Sequence, residues 1–279
     1  MRKTAVVTGA SRGIGRKIAF MLAKNDYNLV LAAKTTTPTQ DTRLPSTIYC
    51  VESEIRRMYP DTKILALKTN VQDEESVTNL RNHIMAQFGK VDVLVNNASA
   101  LSFDPVAKMS MKHFDLVNSV NSRGSYMLAH YLLPLMEKTG SGHVIMHSPP
   151  INLERIGGYT GYMMSKYGMT ICALGIAQEY RNRGIVANTI WPATLIESYA
   201  TRNNNLGERW MWRKPEIICD AIELMLQEPA DTFTGNMLID EEYLKSKGVT
   251  DFTEYRCVPD MEPPSLFSVI DNKISNRKK

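Results

Sequence analysis

The stretch that most limits what this chain can fold into is Val6-Val7-Thr8-Gly9-Ala10-Ser11-Arg12-Gly13-Ile14-Gly15, an apolar run entering a glycine-rich turn. Thr4 to Val7 read as a fully buried strand, and beyond the turn Ile18, Ala19, Leu22 and Ala23 recur on one face of a helix. Gly9, Gly13 and Gly15 lack a Cβ, so the backbone can bend tightly and bring its amides to a pyrophosphate at the positive end of that helix. Ser11, Arg12 and Ile14 lie in the same turn and join the glycines as candidate cofactor contacts. Three glycines alone also fit a tight strand-to-helix turn that binds nothing. The spacing is Gly-x3-Gly-x-Gly rather than the commoner Gly-x-Gly-x-x-Gly.

A chain of 279 residues, 43% hydrophobic and 22% charged, is long enough for one large α/β domain, and no second domain is expected. The net charge of +4 is small and its cations are scattered except at Asn276 to Lys279, a solvated tail, so no nucleic-acid partner is expected. Cys50, Cys172, Cys219 and Cys257 are far apart and form no Cys-x-x-Cys pair, which argues against zinc or a disulfide framework and for a reducing compartment. His143 and His147 share a strand face without further ligands nearby, so no metal is expected. The first strand begins at once, leaving no room for a targeting peptide, and no apolar run approaches the ~18 residues of a membrane span. A soluble, cytoplasmic protein is the expectation.

Along the chain, strands are expected at Asn28 to Ala33, Ile64 to Leu67, Val91 to Val95, His143 to His147, Ile185 to Ile190 and Asn236 to Ile239, with helical spacing between them. Lys34 closes the second strand, where NAD-binding proteins carry an acid for the ribose 2′-hydroxyl. Lys34 and Arg12 there suit the 2′-phosphate of NADP, the alternative being two solvated cations. Thr35 to Ser46, with Pro38 and Pro45, is a loop placed to fold over the adenosine end. Tyr162-Met163-Met164-Ser165-Lys166 is the only Tyr-x-x-x-Lys in the chain. Residues four apart share a helix face, so phenol and ammonium can meet, and a nearby cation moves a tyrosine toward a working acid/base.

Taken together, Thr8-Gly9-x3-Gly13-x-Gly15, Asn96-Asn97-Ala98-Ser99, Asn121-Ser122-Arg123-Gly124 and Tyr162-x3-Lys166 resemble the short-chain dehydrogenase/reductase family. Ser148-Pro149-Pro150, Ala32-Ala33-Lys34-Thr35, Leu44-Pro45-x-Thr47-Ile48-Tyr49, Asn96 to Ala100 and Phe233-Thr234-Gly235-Asn236 are similar to its hydroxysteroid dehydrogenase-like protein 2 branch. The likeness runs over about residues 1 to 255 and does not reach the lipid-carrier domain of longer relatives.

The resemblance implies one doubly wound Rossmann-type domain over residues 1–240 with a seven-stranded, mainly parallel sheet. A substrate lid would span 195–214, with Tyr199, Trp210, Met211 and Trp212 either lining it or simply packing it on the body. Beyond Asp240 the sequence is acidic, proline-spotted and short on apolar periodicity, so 241–279 reads as a surface arm without catalytic residues. The implied activity is hydride transfer between NADP(H) and a carbonyl or secondary alcohol, with an apolar, lipid- or steroid-like substrate. Tyr162 would be the acid/base and Lys166 would lower its pKa and hold the nicotinamide ribose. Asn121, in a helix kink, would position a relay water, and Ser148 would orient the substrate oxygen. Asn70 and Val71 would meet the adenine, Asn97 and Ala98 would lie beside the cofactor, and Pro192 and Thr194 would cover the carboxamide.

Four departures from the family pattern are Asn70 for Asp, Ser99 for Gly, Ala193 for Gly, and Pro149 where most relatives carry the catalytic serine, with Ser148 one place earlier. They keep open a second class, an NADP(H)-binding protein without turnover that serves a partner. The resemblance further implies a homodimer or homotetramer and admits a peroxisomal or mitochondrial location, though no targeting signal is expected.

Overall fold

The computed structural model describes residues 2–37, 46–230 and 232–270. The expected loop over the adenosine end and the basic tail therefore lie, for the most part, outside the described residues. In chain order the elements are β1 (Thr4–Thr8), α1 (Gly13–Lys24), β2 (Asn28–Ala33), α2 (Ile48–Met58), β3 (Ile64–Lys68), α3 (Glu74–Gln87), β4 (Val93–Asn96), α4 (Met111–Val117), α5 (Gly124–Glu137) and β5 (Gly142–His147). They continue with α6 (Thr160–Glu179), β6 (Ile185–Trp191), β7 (Leu195–Ile196), α7 (Tyr199–Asn203), β8 (Trp212–Arg213), α8 (Glu216–Met225), β9 (Met237–Ile239) and α9 (Asp240–Ser246).

Seven strands form one sheet in the order β3-β2-β1-β4-β5-β6-β9, with every pairing parallel. Alternation along each strand sends side chains to two cores. Ala5, Val7, Leu29 and Leu31 face α1, α2 and α8, while Val6, Val30 and Ala32 face α3, α5 and α6. The strand order reverses between β1 and β4, which opens a crevice at the carboxyl ends where this architecture binds nucleotides. Thr8 ties that crevice together: its hydroxyl donates to the Val95 carbonyl and accepts from the amides of Asn97 and Ala98 at 3.0 and 2.9 Å.

One helical stretch runs from Met111 to Glu137, in which a π-helical turn at Asn118–Arg123 joins α4 to α5. Gly124 follows this turn against the Val71 carbonyl, which a Cβ would approach to 2.9 Å. A wide turn of this kind bulges the helix and re-aims one side chain, here Asn121.

The surface arm expected over 241–279 does not hold for 240–270. Tyr243, Leu244, Phe252 and Tyr255 join the core on the α8 side, and Leu266 and Ile270 join a smaller cluster above the crevice with Tyr159, Trp191, Leu206 and Trp212. The tie is electrostatic as well as apolar. Arg213, 2% exposed, pairs with Glu241 at 3.0 Å and Glu262 at 2.7 Å, and its guanidinium stacks over Phe252. Thr194 bridges Ser265, and the Leu266 amide donates to the Ala193 carbonyl at 2.8 Å.

Candidate active site

The crevice encloses a cavity of ≈ 490 Å³ whose walls come from the carboxyl ends of β1 to β6. At its floor the amino terminus of α1 has neither a side-chain cap nor an acidic residue in its first turn, so its free N–H groups and positive dipole face the cavity. Gly9 has φ +65° and packs against Ala98, and a Cβ at Gly15 would stand 2.5 Å from both Asn97 Nδ2 and the Gly9 carbonyl oxygen. Only glycine allows β1, the turn and the β4 end to close this far, leaving a bare backbone cradle of the size a pyrophosphate requires. Gly9, Ser11, Arg12, Gly13 and Ile14 line the cavity, while Gly15 supports the turn from behind.

Lys34 is exposed at the mouth, and Arg12 Nη1 donates to Thr35 Oγ1 at 3.2 Å, so both cations stand at the end of β2. Burial lowers the Arg12 pKa, an opposed effect coming from Tyr199. Asn70 and Val71 line the next edge, with the Asn70 side-chain oxygen accepting from the Gln72 amide. Asn97 donates to the Thr8 carbonyl and meets the His147 ring at 3.3 Å, so its amide is spent on bracing the sheet. Ala98, Pro192 and Thr194 complete the wall.

Tyr162 and Lys166 both reach the cavity from one face of α6, as their spacing predicts. Their electrostatics differ from expectation. Tyr162 is 6% exposed, and burial pushes its phenol well above the ordinary tyrosine range, with the Ser99 hydroxyl as the smaller opposing influence. Lys166, 2% exposed, is pushed down to about 7 by burial, and its Nζ donates to the His147 carbonyl at 2.9 Å. The predicted lowering of the tyrosine by the lysine is therefore overridden by desolvation, which disfavours both charged forms. His147 lines the same wall and is pushed to about 3, first by burial and then by Lys166, so it is neutral and holds Asn97.

Two expected catalytic residues stand elsewhere. Ser148 is fully buried behind the cavity wall, its hydroxyl accepting from Thr170 Oγ1 at 2.9 Å, and the same threonine hydroxyl reaches the Pro149 carbonyl at 2.8 Å. Asn121 is likewise fully buried. Its Nδ2 donates to the Ala100 carbonyl and to Ser165 Oγ, both at 2.9 Å, and its Oδ1 accepts the Ala100 amide at 2.8 Å. With both N–H groups taken, its side chain braces the β4 loop against α6.

Of the lid side chains, Tyr199 lines the cavity with Leu195, Ile196 and Leu206. Trp212 packs below it and donates to the Leu206 carbonyl, and Trp210 turns outward to Glu208. Leu101, Phe103, Leu266 and Ile270 supply the remaining apolar wall, and the last two lie in the segment expected to be a bare arm. Among the described residues no group of three metal-ligating side chains occurs, and no helix is long and apolar enough to cross a membrane.

The sequence model of the short chain dehydrogenase family matches residues 3–208. Hydroxysteroid dehydrogenase-like protein 2 of Xenopus tropicalis is 39% identical over 92% of this chain, and the chain spans about three fifths (61%) of that relative's length. A short chain dehydrogenase structure from Mycobacterium thermoresistibile superposes with TM-score 0.87 at 38% identity, covering 94% of this chain and 93% of the other. A metagenomic short-chain oxidoreductase in complex with NADP gives TM-score 0.69 at 25% identity, over 85% of this chain and 96% of that one. Glycine turn, Tyr-x3-Lys helix, parallel sheet and these likenesses agree: the chain belongs to the short-chain dehydrogenase/reductase family of oxidoreductases.

Proposed function

We propose that this protein is an NADP(H)-dependent oxidoreductase acting on the carbonyl or secondary alcohol of an apolar small molecule. The observation that carries the reading is one continuous cavity with three chemically distinct parts. A bare helix end and glycine cradle lie at its floor, Arg12 and Lys34 at one end, and Tyr162 with Lys166 at the other, under Leu101, Phe103, Leu266 and Ile270. The cradle fits a pyrophosphate and the two cations fit a 2′-phosphate, which supports NADP(H) over NAD(H). Solved relatives with bound NADP support the same choice.

Held by the glycine turn and Ser11 with Arg12 and Lys34 at its 2′-phosphate, NADPH would supply the hydride for the carbonyl carbon. Tyr162, kept neutral by burial, hands its hydroxyl proton to the carbonyl oxygen, and the resulting phenolate is refilled from solvent through the cavity mouth. Lys166 Nζ, anchored on the His147 carbonyl, has further hydrogen-bonding capacity for the ribose hydroxyls and for the phenolate. Asn121 positions the loop that carries Ala98 to Ala100 against this helix. The exposed Tyr126, Met164 and Ile171 on α5 and α6 support pairing of this face with a second copy of the chain.

NADPH oxidation across a panel of aldehydes, ketones and steroid-like carbonyls tests the reading, with Tyr162→Phe as the reference variant. Loss of the acid should lower turnover by about 10² to 10⁴ while NADPH affinity holds. Tight NADPH binding with no turnover on any carbonyl would instead make this a cofactor-binding protein, and full turnover by Tyr162→Phe would discard the mechanism.

A further inference from the structure

The cavity wall carries one hydroxyl that the family's Asn-Asn-Ala-Gly pattern lacks. Ser99 stands where that pattern has glycine and is exposed into the cavity that the Tyr162 phenol also lines, where its hydroxyl opposes the burial that raises that phenol. The end of β5, which supplies the hydroxyl in most relatives, contributes none. Pro149 has no donor, and Ser148 is sealed behind the wall by Thr170.

Both neighbours of Ser99 are pinned. The Ala98 amide donates to Thr8 Oγ1 at 2.9 Å, and Ala100 exchanges two hydrogen bonds with the Asn121 side chain at 2.8 and 2.9 Å. A serine held between two fixed residues keeps its Cα–Cβ bond aimed into the cavity while its hydroxyl stays free to turn. In the resting site that hydroxyl donates to the Ala100 carbonyl at 3.3 Å, a long bond that is easily given up.

We propose that Ser99 is a catalytic residue, its hydroxyl rotating from the Ala100 carbonyl onto the Tyr162 oxygen when that tyrosine gives up its proton. The inference rests on the reading of Tyr162 as the acid/base. In the reducing direction the Tyr162 O–H bond breaks and its proton joins the substrate oxygen, while the carbonyl carbon gains the hydride. Ser99 keeps its own proton throughout and moves only the direction in which it donates. A donor aimed at the oxygen where charge develops stabilises the transition state more than the resting phenol, so its effect falls on rate rather than on binding. The hydroxyl missing from β5 is thus replaced from β4, across the cavity floor.

Ser99→Ala should lower kcat about tenfold to a hundredfold, with KM and NADPH affinity within about threefold. Its alkaline-side pH profile should move upward, and Ser99→Thr, which keeps the hydroxyl, should restore both. Ser148→Ala should cost less than Ser99→Ala, and the reverse order would overturn the proposal. A second readout needs no turnover: with 13Cζ-labelled tyrosine, the Tyr162 resonance, assigned among the 12 tyrosines by its loss in Tyr162→Phe, should shift in Ser99→Ala and return in Ser99→Thr. An unmoved resonance overturns the role of Ser99 whatever the substrate panel shows. Full turnover by Tyr162→Phe is the separate result that removes the acid/base reading itself.

Discussion

Lys166 is a cation in a place that penalises cations, so replacing it should stabilise the fold while ending turnover. Its side chain is 2% exposed and burial carries it from 10.5 down to about 7, with a single strong hydrogen bond to the His147 carbonyl and none to a carboxylate. A depressed ammonium is costless above its unfolded value of 10.5, costs more as pH falls, and reaches its full cost below about 7. At pH 7.5 each pH unit below 10.5 is worth about 1.4 kcal/mol, which sets a ceiling of roughly 4 kcal/mol. Lys166→Met keeps the straight chain and the volume but forfeits the bond to His147, worth about 1 to 2 kcal/mol. The net gain is then about 2 kcal/mol, or roughly 4 to 8 °C in Tm for a chain of this size. Scanning calorimetry of the apoprotein at pH 7.5 and pH 10.5 reads it. A variant no more stable than the parent at pH 7.5, or an advantage of the same size at both pH values, would refute the reasoning.

Three further outcomes follow from the same cavity. NADPH should bind about tenfold to a few hundredfold tighter than NADH, and Lys34→Ala and Arg12→Ala should each cut that ratio, since both cations stand at the end of β2; equal dissociation constants for the two cofactors in the parent would refute this. Leu266→Ala removes an apolar wall and should raise KM for bulky apolar carbonyls about tenfold while leaving short ones nearly unchanged; a uniform change across chain lengths would place Leu266 outside the substrate path. Arg213→Ala removes the buried cation that acts on Asp240, leaving Glu241 to Lys245 and Glu262 to Arg256, and should cost about 3 kcal/mol by chemical denaturation, a loss below about 1 kcal/mol being the contrary result.

The parallel sheet was legible because its strands are apolar runs bounded by turn residues, and β2 lies at Asn28–Ala33 as its pattern predicts. The π-turn at Asn118–Arg123 was not, since a widened turn has no periodicity of its own and only shows where Asn121 points. Residues 241–270 misled for a different reason. Their partners are distant in sequence: Tyr255 donates to Asp220, Cys257 packs beside Trp212 and Glu197, and Glu262 answers Arg213. An acidic, proline-spotted stretch carries no sign that a buried arginine elsewhere needs its charge.

The site divides along the same line. Tyr162, Lys166 and the glycines sit within one helix or one turn, so spacing alone brings them to the cavity. Ser148 depends on register, because residues leaving a strand alternate in direction and a hydroxyl one place early faces Thr170 instead of the cavity. Two more things depend on what lies around a residue rather than on which residue it is. Lys166 loses proton affinity to its dry surroundings, and Ser99 gains access to the Tyr162 oxygen only because Thr8 and Asn121 fix the loop on either side of it. Removing either brace should therefore misplace the Ser99 hydroxyl without touching it. Asn121→Ala frees Ala100 from both its side-chain hydrogen bonds, and the Tyr162 13Cζ resonance should respond in the same direction as in Ser99→Ala, adding nothing further when the two substitutions are combined. Additive shifts would mean that Asn121 reaches the phenol by another route, through Ser165 and the backbone of α6.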